Sequence, residues 1–225
     1  MSEEATKLDF QEQFKLQAEK AMHHLQECDT VIAGLIEQIG PYSITPEQPY
    51  FFALLSSIIS QQISTKAAAA IQNRFLALFP DSSPAEVTPS RLLTLPKEDL
   101  RTAGLSEQKV RYGYDLAEKV EEGVVDLTRI DDLPDEEIIR QLTKVNGIGR
   151  WTAEMFLIFS LARPDVLPAD DLGFRTAVQR LYGFKERPDP KIVRRFAQVQ
   201  GWSPYSTAAT WYLWRSLNLK DEVVT

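Results

Sequence analysis

The residues best suited to chemistry lie in two short stretches. The first, 142–153, reads LTKVNGIGRWTA and sets Gly147 and Gly149 between Lys144 and Arg150. A turn with glycine at both positions can tighten and let another backbone come close. A helix starting near Arg150 would then offer unpaired N–H groups and its positive dipole end to an anion. Such a device grips phosphate without reading sequence. The second stretch, 166–173, reads VLPADDLG and holds two adjacent carboxylates, Asp170 and Asp171. Neighbouring helical residues point about 100° apart, so only one of the pair can face a reacting centre squarely. The other can cap the helix, and residue types alone leave open which does which.

Other readings of the first stretch compete. Gly147 and Gly149 could begin a dinucleotide fingerprint, but Thr152 stands where its third glycine belongs and no strand precedes them. The Gly-Lys-Ser/Thr of a P-loop is missing, and a plain helix–turn–helix corner remains open. Net charge is -7, which counts against a simple nucleic-acid binder. The distribution softens the objection, because 140–195 holds 11 Lys and Arg against 6 Asp and Glu.

Composition narrows the class. With 44% hydrophobic and 25% charged residues, the 225-residue chain has the balance of an ordinary globular protein able to bury a core. A lone cysteine, Cys28, excludes an intrachain disulfide, a four-cysteine zinc site and an iron–sulfur cluster. His23 and His24 have no other histidine or thiol cluster near them in sequence and read as a solvated helix face. The start lacks the basic end and apolar stretch of a secretory signal, and the apolar run at 51–59 is too short to span a bilayer. The expectation is a monomer without membrane contact, cytoplasmic, or nuclear if the host is eukaryotic.

The elements that must position these residues read as helices throughout, giving an all-α class. Apolar spacing at Phe14, Leu16, Met22, Leu25, Val31, Ile32 and Leu35 predicts amphipathic helices over 10–39, broken near Gly40 and Pro41. A prolyl linker, 43–48, precedes a helical pattern over 50–79 that is interrupted at Gln61, Gln62, Ile63 and Ser64. Short helices are predicted near 89–93, 97–103 and 106–121, with Gly104 closing one and Ser106 capping the next. Pro134 and the acidic residues 135–137 start a helix running to about Lys144.

These motifs, taken in order, resemble the helix-hairpin-helix superfamily of DNA glycosylases, and within it the 3-methyladenine DNA glycosylase II branch. The likeness spans about 50–215. It rests on Ser60-Gln61-Gln62-Ile63-Ser64, on Ala103-Gly104-Leu105-Ser106 with Lys109, on the hairpin, on Leu167-Pro168 with Asp170, and on Trp202-Ser203-Pro204-Tyr205 ahead of Trp211 and Trp214. The resemblance implies two helical lobes, 50–162 and 1–49 with 163–225, with an active site in the cleft between them. It implies that the partner is duplex DNA carrying damaged bases. Gln61, Gln62, Gly147, Gly149, Arg150 and Thr152 would touch the DNA, with Gln62 filling the gap left by a flipped base. No cofactor is implied to be required. A structural Na+ or K+ could sit on the main-chain carbonyls of Thr143, Val145 and Ile148.

Matching on Leu167 and Pro168 puts the catalytic aspartate at Asp170. A carboxylate beside the sugar would stabilise the positive charge that builds as the base departs, and help the attacking water. Trp151, Met155, Asp171, Trp211 and Trp214 would form the base pocket, since aromatic faces attract a cationic alkylated ring. Tyr212 is a further aromatic near them, and core packing is the ordinary fate of at least two of the four tryptophans. Trp151 stands where bifunctional relatives carry a Schiff-base lysine, so the resemblance implies hydrolysis without strand nicking. The chain departs from the family pattern in two places: about 49 mainly helical residues precede Tyr50 where several members carry an extra β domain, and Met155 replaces a common pocket aromatic, which leaves the exact base range open. A glycosylase for oxidised or deaminated bases, or a non-catalytic DNA-binding hairpin module, remain alternatives.

Overall fold

The computed structural model describes residues 3–219, with side chains from Glu12 onward. Among the described residues all regular structure is helical. The chain forms two compact units, Thr45–Leu161 and Met1–Ile44 with Ala162–Thr225.

The Thr45–Leu161 unit contains α3 (Tyr50–Ser60), α4 (Thr65–Leu76), α5 (Pro89–Thr94), α6 (Lys97–Thr102), α7 (Glu107–Glu121), α8 (Asp135–Leu142) and α9 (Arg150–Phe159). Hydroxyls start three of them: Ser64, Thr88 and Ser106 accept from the N–H of Ala67, Arg91 and Lys109, satisfying donors that the first turn leaves open. The α3 sequence, YFFALLSSIIS, is apolar on most of its circumference, and α3 packs against α4, α7 and α9. Leu54, Leu55, Ile58 and Ile59 are buried there, each contributing about 1.5–3 kcal/mol. Gly113 lets α7 approach α3, because a Cβ there would lie 3.0 Å from the Leu55 side chain.

The other unit contains α1 (Glu3–Cys28), α2 (Thr30–Ile39), α10 (Leu172–Leu181), α11 (Pro190–Gln200) and α12 (Ser206–Ser216). The helical pattern over 10–39 breaks at Asp29 as well as at Gly40, a break the apolar spacing did not reveal. Asp29 is buried and caps α2: one carboxylate oxygen accepts from the N–H of Val31 and Ile32, at 2.9 and 3.1 Å. Its other oxygen accepts from the Tyr182 hydroxyl at 2.6 Å and the Trp202 indole at 2.8 Å. Four donors offset the cost of burying that charge. Burial, helped by Asp29, pushes the Tyr182 hydroxyl far above its usual range. Leu16, expected on the apolar face, is 54% exposed. His24 is half-buried and bonds the Gly201 carbonyl at 2.7 Å, so the expected solvated histidine face holds only for His23.

Candidate functional site

The hairpin joins α8 to α9, and Gly149 stands at the N-cap of α9 with no side chain to cap it. Its two glycines serve different ends. Gly147 has φ +86, and a Cβ there would lie 2.1 Å from the Tyr112 ring, so the turn itself requires glycine. Gly149 has φ -91, and nothing lies within 4 Å of where its Cβ would be.

Two side chains hold the turn, and a third holds the end of α3 beside it. Asp115 on α7 accepts from the Asn146 N–H at 2.7 Å and ion-pairs with Lys119. Burial raises its carboxyl, but the Lys119 bond and the Asn146 N–H outweigh burial and leave it below the usual aspartate value. The Gln61 amide donates to the Gly147 carbonyl at 2.8 Å. Lys109 donates to the carbonyls of Ile59 and Gln61, at 2.7 and 2.8 Å, a cation at the negative end of α3. Burial lowers the Lys109 pKa. Among the described residues, the N–H groups of Gly147, Gly149, Arg150 and Thr152 donate to nothing.

Side chains expected to touch DNA fall into two groups. Gln62, with φ +59, is exposed at the tip of the α3–α4 break, and Lys144 is also exposed. Gln61 instead serves the hairpin. Arg150 is taken up by Glu136 and by Glu154, the latter at 3.0 Å, and Thr152 is 7% exposed. Thr152 therefore offers its main chain, rather than its side chain, at the helix start.

The two aspartates occupy different surroundings. Asp170 is half-exposed and ion-pairs with Arg194 at 3.0 Å. Asp171 is the N-cap of α10, accepting from the Phe174 N–H at 2.6 Å. The same oxygen accepts from the Trp214 indole N–H at 2.8 Å. Trp214 is half-buried, whereas Trp211 lies in the core, edge-on to Tyr42 and under the Arg215 guanidinium. Tyr212 is wholly buried and bonds the Gly40 carbonyl. Trp151 is 46% exposed on the first turn of α9. One turn on, Met155 lines a cavity of about 210 Å³ between α3 and α9. The structure thus joins Asp171 with Trp214, sets Met155 on a cavity, and assigns Trp211 to packing.

Sequence reasoning missed Asp115, Tyr112, Glu136 and Arg194. Each acts across a turn or between helices, and no local spacing announces such a partner. Lys109 was legible only through the resemblance. Among the described residues no cluster of histidine, cysteine and carboxylate could hold a metal ion, and no helix is long and apolar enough to cross a membrane. The hairpin carbonyls do fit a monovalent cation. Those of Thr143 and Ile148 accept no hydrogen bond among the described residues, and that of Val145 accepts one, from the Ile148 N–H. Neutral oxygens with spare lone pairs suit a hard cation of low charge.

Comparison with known proteins gives the chain a family. Residues 55–201 match the model of the HhH-GPD superfamily base excision DNA repair protein. The chain is 36% identical to DNA-3-methyladenine glycosylase 1 of Schizosaccharomyces pombe, over 90% of this chain and 89% of that protein. It is similar to the solved structure of the 3-methyladenine DNA glycosylase Mag1 from that yeast in complex with abasic DNA. That match has a TM-score of 0.79 and 34% identity, and covers 91% of this chain and 99% of the other. A DNA-3-methyladenine glycosidase structure from Bacillus halodurans matches with a TM-score of 0.78 and 35% identity, over 87% and 88% of the two chains. The chain belongs to the HhH-GPD superfamily of base excision DNA repair proteins.

Proposed function

We propose that the protein is a monofunctional DNA glycosylase of the 3-methyladenine II type, removing alkylated purines such as 3-methyladenine and 7-methylguanine from duplex DNA. The observation that carries the reading is the carboxylate of Asp171, fixed by a helix N-terminus and an indole in a chain that also bears the unpaired hairpin N–H groups. The family membership supports it.

The backbone of the DNA would lie against the N–H groups of Gly147, Gly149, Arg150 and Thr152, with Lys144 adding charge. Gly149 is free of any steric need to be glycine within the protein, and its missing side chain leaves room for a phosphate. A Na+ or K+ on the Thr143, Val145 and Ile148 carbonyls would add positive charge facing the same backbone.

The geometry favours Asp171 over the expected Asp170 as the catalytic carboxylate. Arg194 already pairs with Asp170, which commits its charge to a partner. Asp171 is instead oriented by two neutral donors, the Phe174 N–H and the Trp214 indole. In the reaction the bond from C1′ to the base nitrogen breaks and its electron pair leaves with the base, which departs neutral if it was a cation. Asp171 stabilises the positive charge on the sugar. Water oxygen then bonds to C1′ and gives up a proton to the carboxylate or to solvent. Trp151 has no amine with which to form a Schiff base, so the product is an intact strand with an abasic site. A monomer suffices for this chemistry.

The test is base release from a methylated duplex, followed with and without alkali. The reading expects free base from the wild type, strand breaks only after alkali, and no adduct trapped by borohydride. Breaks without alkali, or no base released, would overturn it.

A further inference from the structure

The turn from α3 to α4 holds a glutamine in a backbone conformation that its own chemistry disfavours. Gln62 has φ +59, the left-handed region that residues with a Cβ seldom enter and that persists only where the surroundings fix it. Its side chain is exposed and bonds nothing among the described residues. What holds it there must therefore act on the backbone to either side.

Lys109 does so from α7. Its ammonium donates to the carbonyls of Ile59 and Gln61, at 2.7 and 2.8 Å. The Gln61 carbonyl belongs to the same planar peptide unit as the Gln62 N–H, so anchoring that oxygen fixes the plane from which Gln62 departs. On the far side, Ser64 accepts from the Ala67 N–H and starts α4, which fixes the exit. Lys109 is half-buried, and no carboxylate pairs with it among the described residues. Burial without a counter-charge lowers its pKa, a desolvation cost that an apolar side chain of the same length would not carry. The two carbonyls are what the charge serves.

The same helix sets the hairpin. Tyr112 and Asp115, three and six residues after Lys109, meet Gly147 and Asn146. One element thus fixes both the turn that presents Gln62 and the hairpin whose N–H groups face outward.

We propose that Lys109 is a positioning residue for nucleotide extrusion, holding the peptide between Gln61 and Gln62 so that the Gln62 side chain enters the gap left by the flipped nucleotide. The assignment rests on the glycosylase reading above. A turn left loose would have to be ordered during extrusion, and the lysine meets that entropic cost in advance.

The test is a double-mutant cycle between Lys109→Met and Gln62→Ala, run well below the Tm of each variant. It reads single-turnover base release from a 7-methylguanine duplex and from the same lesion in a single strand. Lys109→Met alone is expected to slow release from duplex on the order of tenfold. Release from the single strand, which has no stack to fill, should stay within about twofold of wild type. With Gln62 already replaced by Ala, the same change should slow duplex release by less than about twofold more, because the group it positions is gone. Lys109→Arg, which keeps a cation beside the two carbonyls, should restore most of the duplex rate. A tenfold loss in both backgrounds would overturn the assignment. Duplex release at the wild-type rate, or equal losses on duplex and single strand, would do the same. Each of those results leaves the glycosylase reading standing. Failure of the wild type to release base from either substrate would remove that reading, and the assignment with it.

Discussion

The indole N–H of Trp214 and the first turn of α10 converge on one oxygen of Asp171, at 2.8 and 2.6 Å. Two helices, α10 and α12, therefore fix a single carboxylate, and a Cβ at Gly173 would lie 3.3 Å from that same oxygen, a tight contact that glycine avoids. The neighbouring Asp170 is held from another side, by Arg194 of α11.

The two Asn variants should separate accordingly. Asp171→Asn is expected to slow base release by about 10²–10⁴-fold, the usual contribution of a positioned carboxylate. The amide still accepts from Phe174 and Trp214, so Tm should move little. Asp170→Asn should keep release within about tenfold of wild type, since Asp170 and its Arg194 partner are about half-exposed and such pairs contribute little. Single-turnover release from a 7-methylguanine duplex measures both. The reverse order would return the catalytic role to Asp170.

The hairpin glycines should also part company. Gly147→Ala forces a Cβ into the Tyr112 ring at φ +86, and backbone strain of that kind costs about 1–3 kcal/mol. Its Tm should fall, and DNA affinity with it. A Cβ at Gly149 meets no neighbour within 4 Å, so the Tm of Gly149→Asp should hold. The added charge would face phosphate at the start of α9, lowering affinity for abasic-site duplex on the order of tenfold. Thermal melts and fluorescence polarisation on the two variants decide the matter; loss of Tm in Gly149→Asp would contradict it.

Why Gly147 and Gly149 were legible while Asp115 was not follows from what a sequence encodes locally. Two glycines between helical patterns mark a turn, and a helix must begin after them. That Tyr112 presses on Gly147, or that Asp115 bonds Asn146, depends on how α7 crosses the hairpin, which no spacing within either segment states. The all-helical class emerged from periodicity because several helices are amphipathic and six of them begin at a Ser, Thr or Asp cap. Asp29 escaped notice because its partners, Tyr182 and Trp202, lie far along the chain. The adjacent aspartates were found by motif, but what sets them apart, Trp214 on Asp171 and Arg194 on Asp170, is again a pair of tertiary contacts.

Asp115 gives a pH signature. Its folded carboxyl lies below the unfolded value, because the bonds from Lys119 and Asn146 outweigh burial. It therefore adds stability above the unfolded value of about 3.9, and that contribution is lost as pH falls through the lower folded value. Asp115→Asn should lower Tm at pH 7 by about 2–4 °C for a loss on the order of 1 kcal/mol. The difference between variant and wild type should narrow steadily below about pH 4. A gap that stays constant down to about pH 2.5 would show that Asp115 acts without its charge.

Gln61 and Gln62 carry the last prediction. Their side chains are chemically identical and adjacent, yet Gln61 bonds the Gly147 carbonyl while Gln62 stands exposed at φ +59. If Gln62 fills the gap beside a flipped nucleotide, its loss matters only where there is a stack to fill. Extruding a base from duplex costs a few kcal/mol, and far less from a single strand. Gln62→Ala should then slow release from duplex on the order of tenfold, with little effect on the same lesion in single-stranded DNA, and Tm should not change. Gln61→Ala should lower Tm and slow release from both substrates, because it loosens the hairpin. Equal losses on duplex and single strand for Gln62→Ala would sink the wedge assignment, since a side chain that only touched backbone would act on both alike.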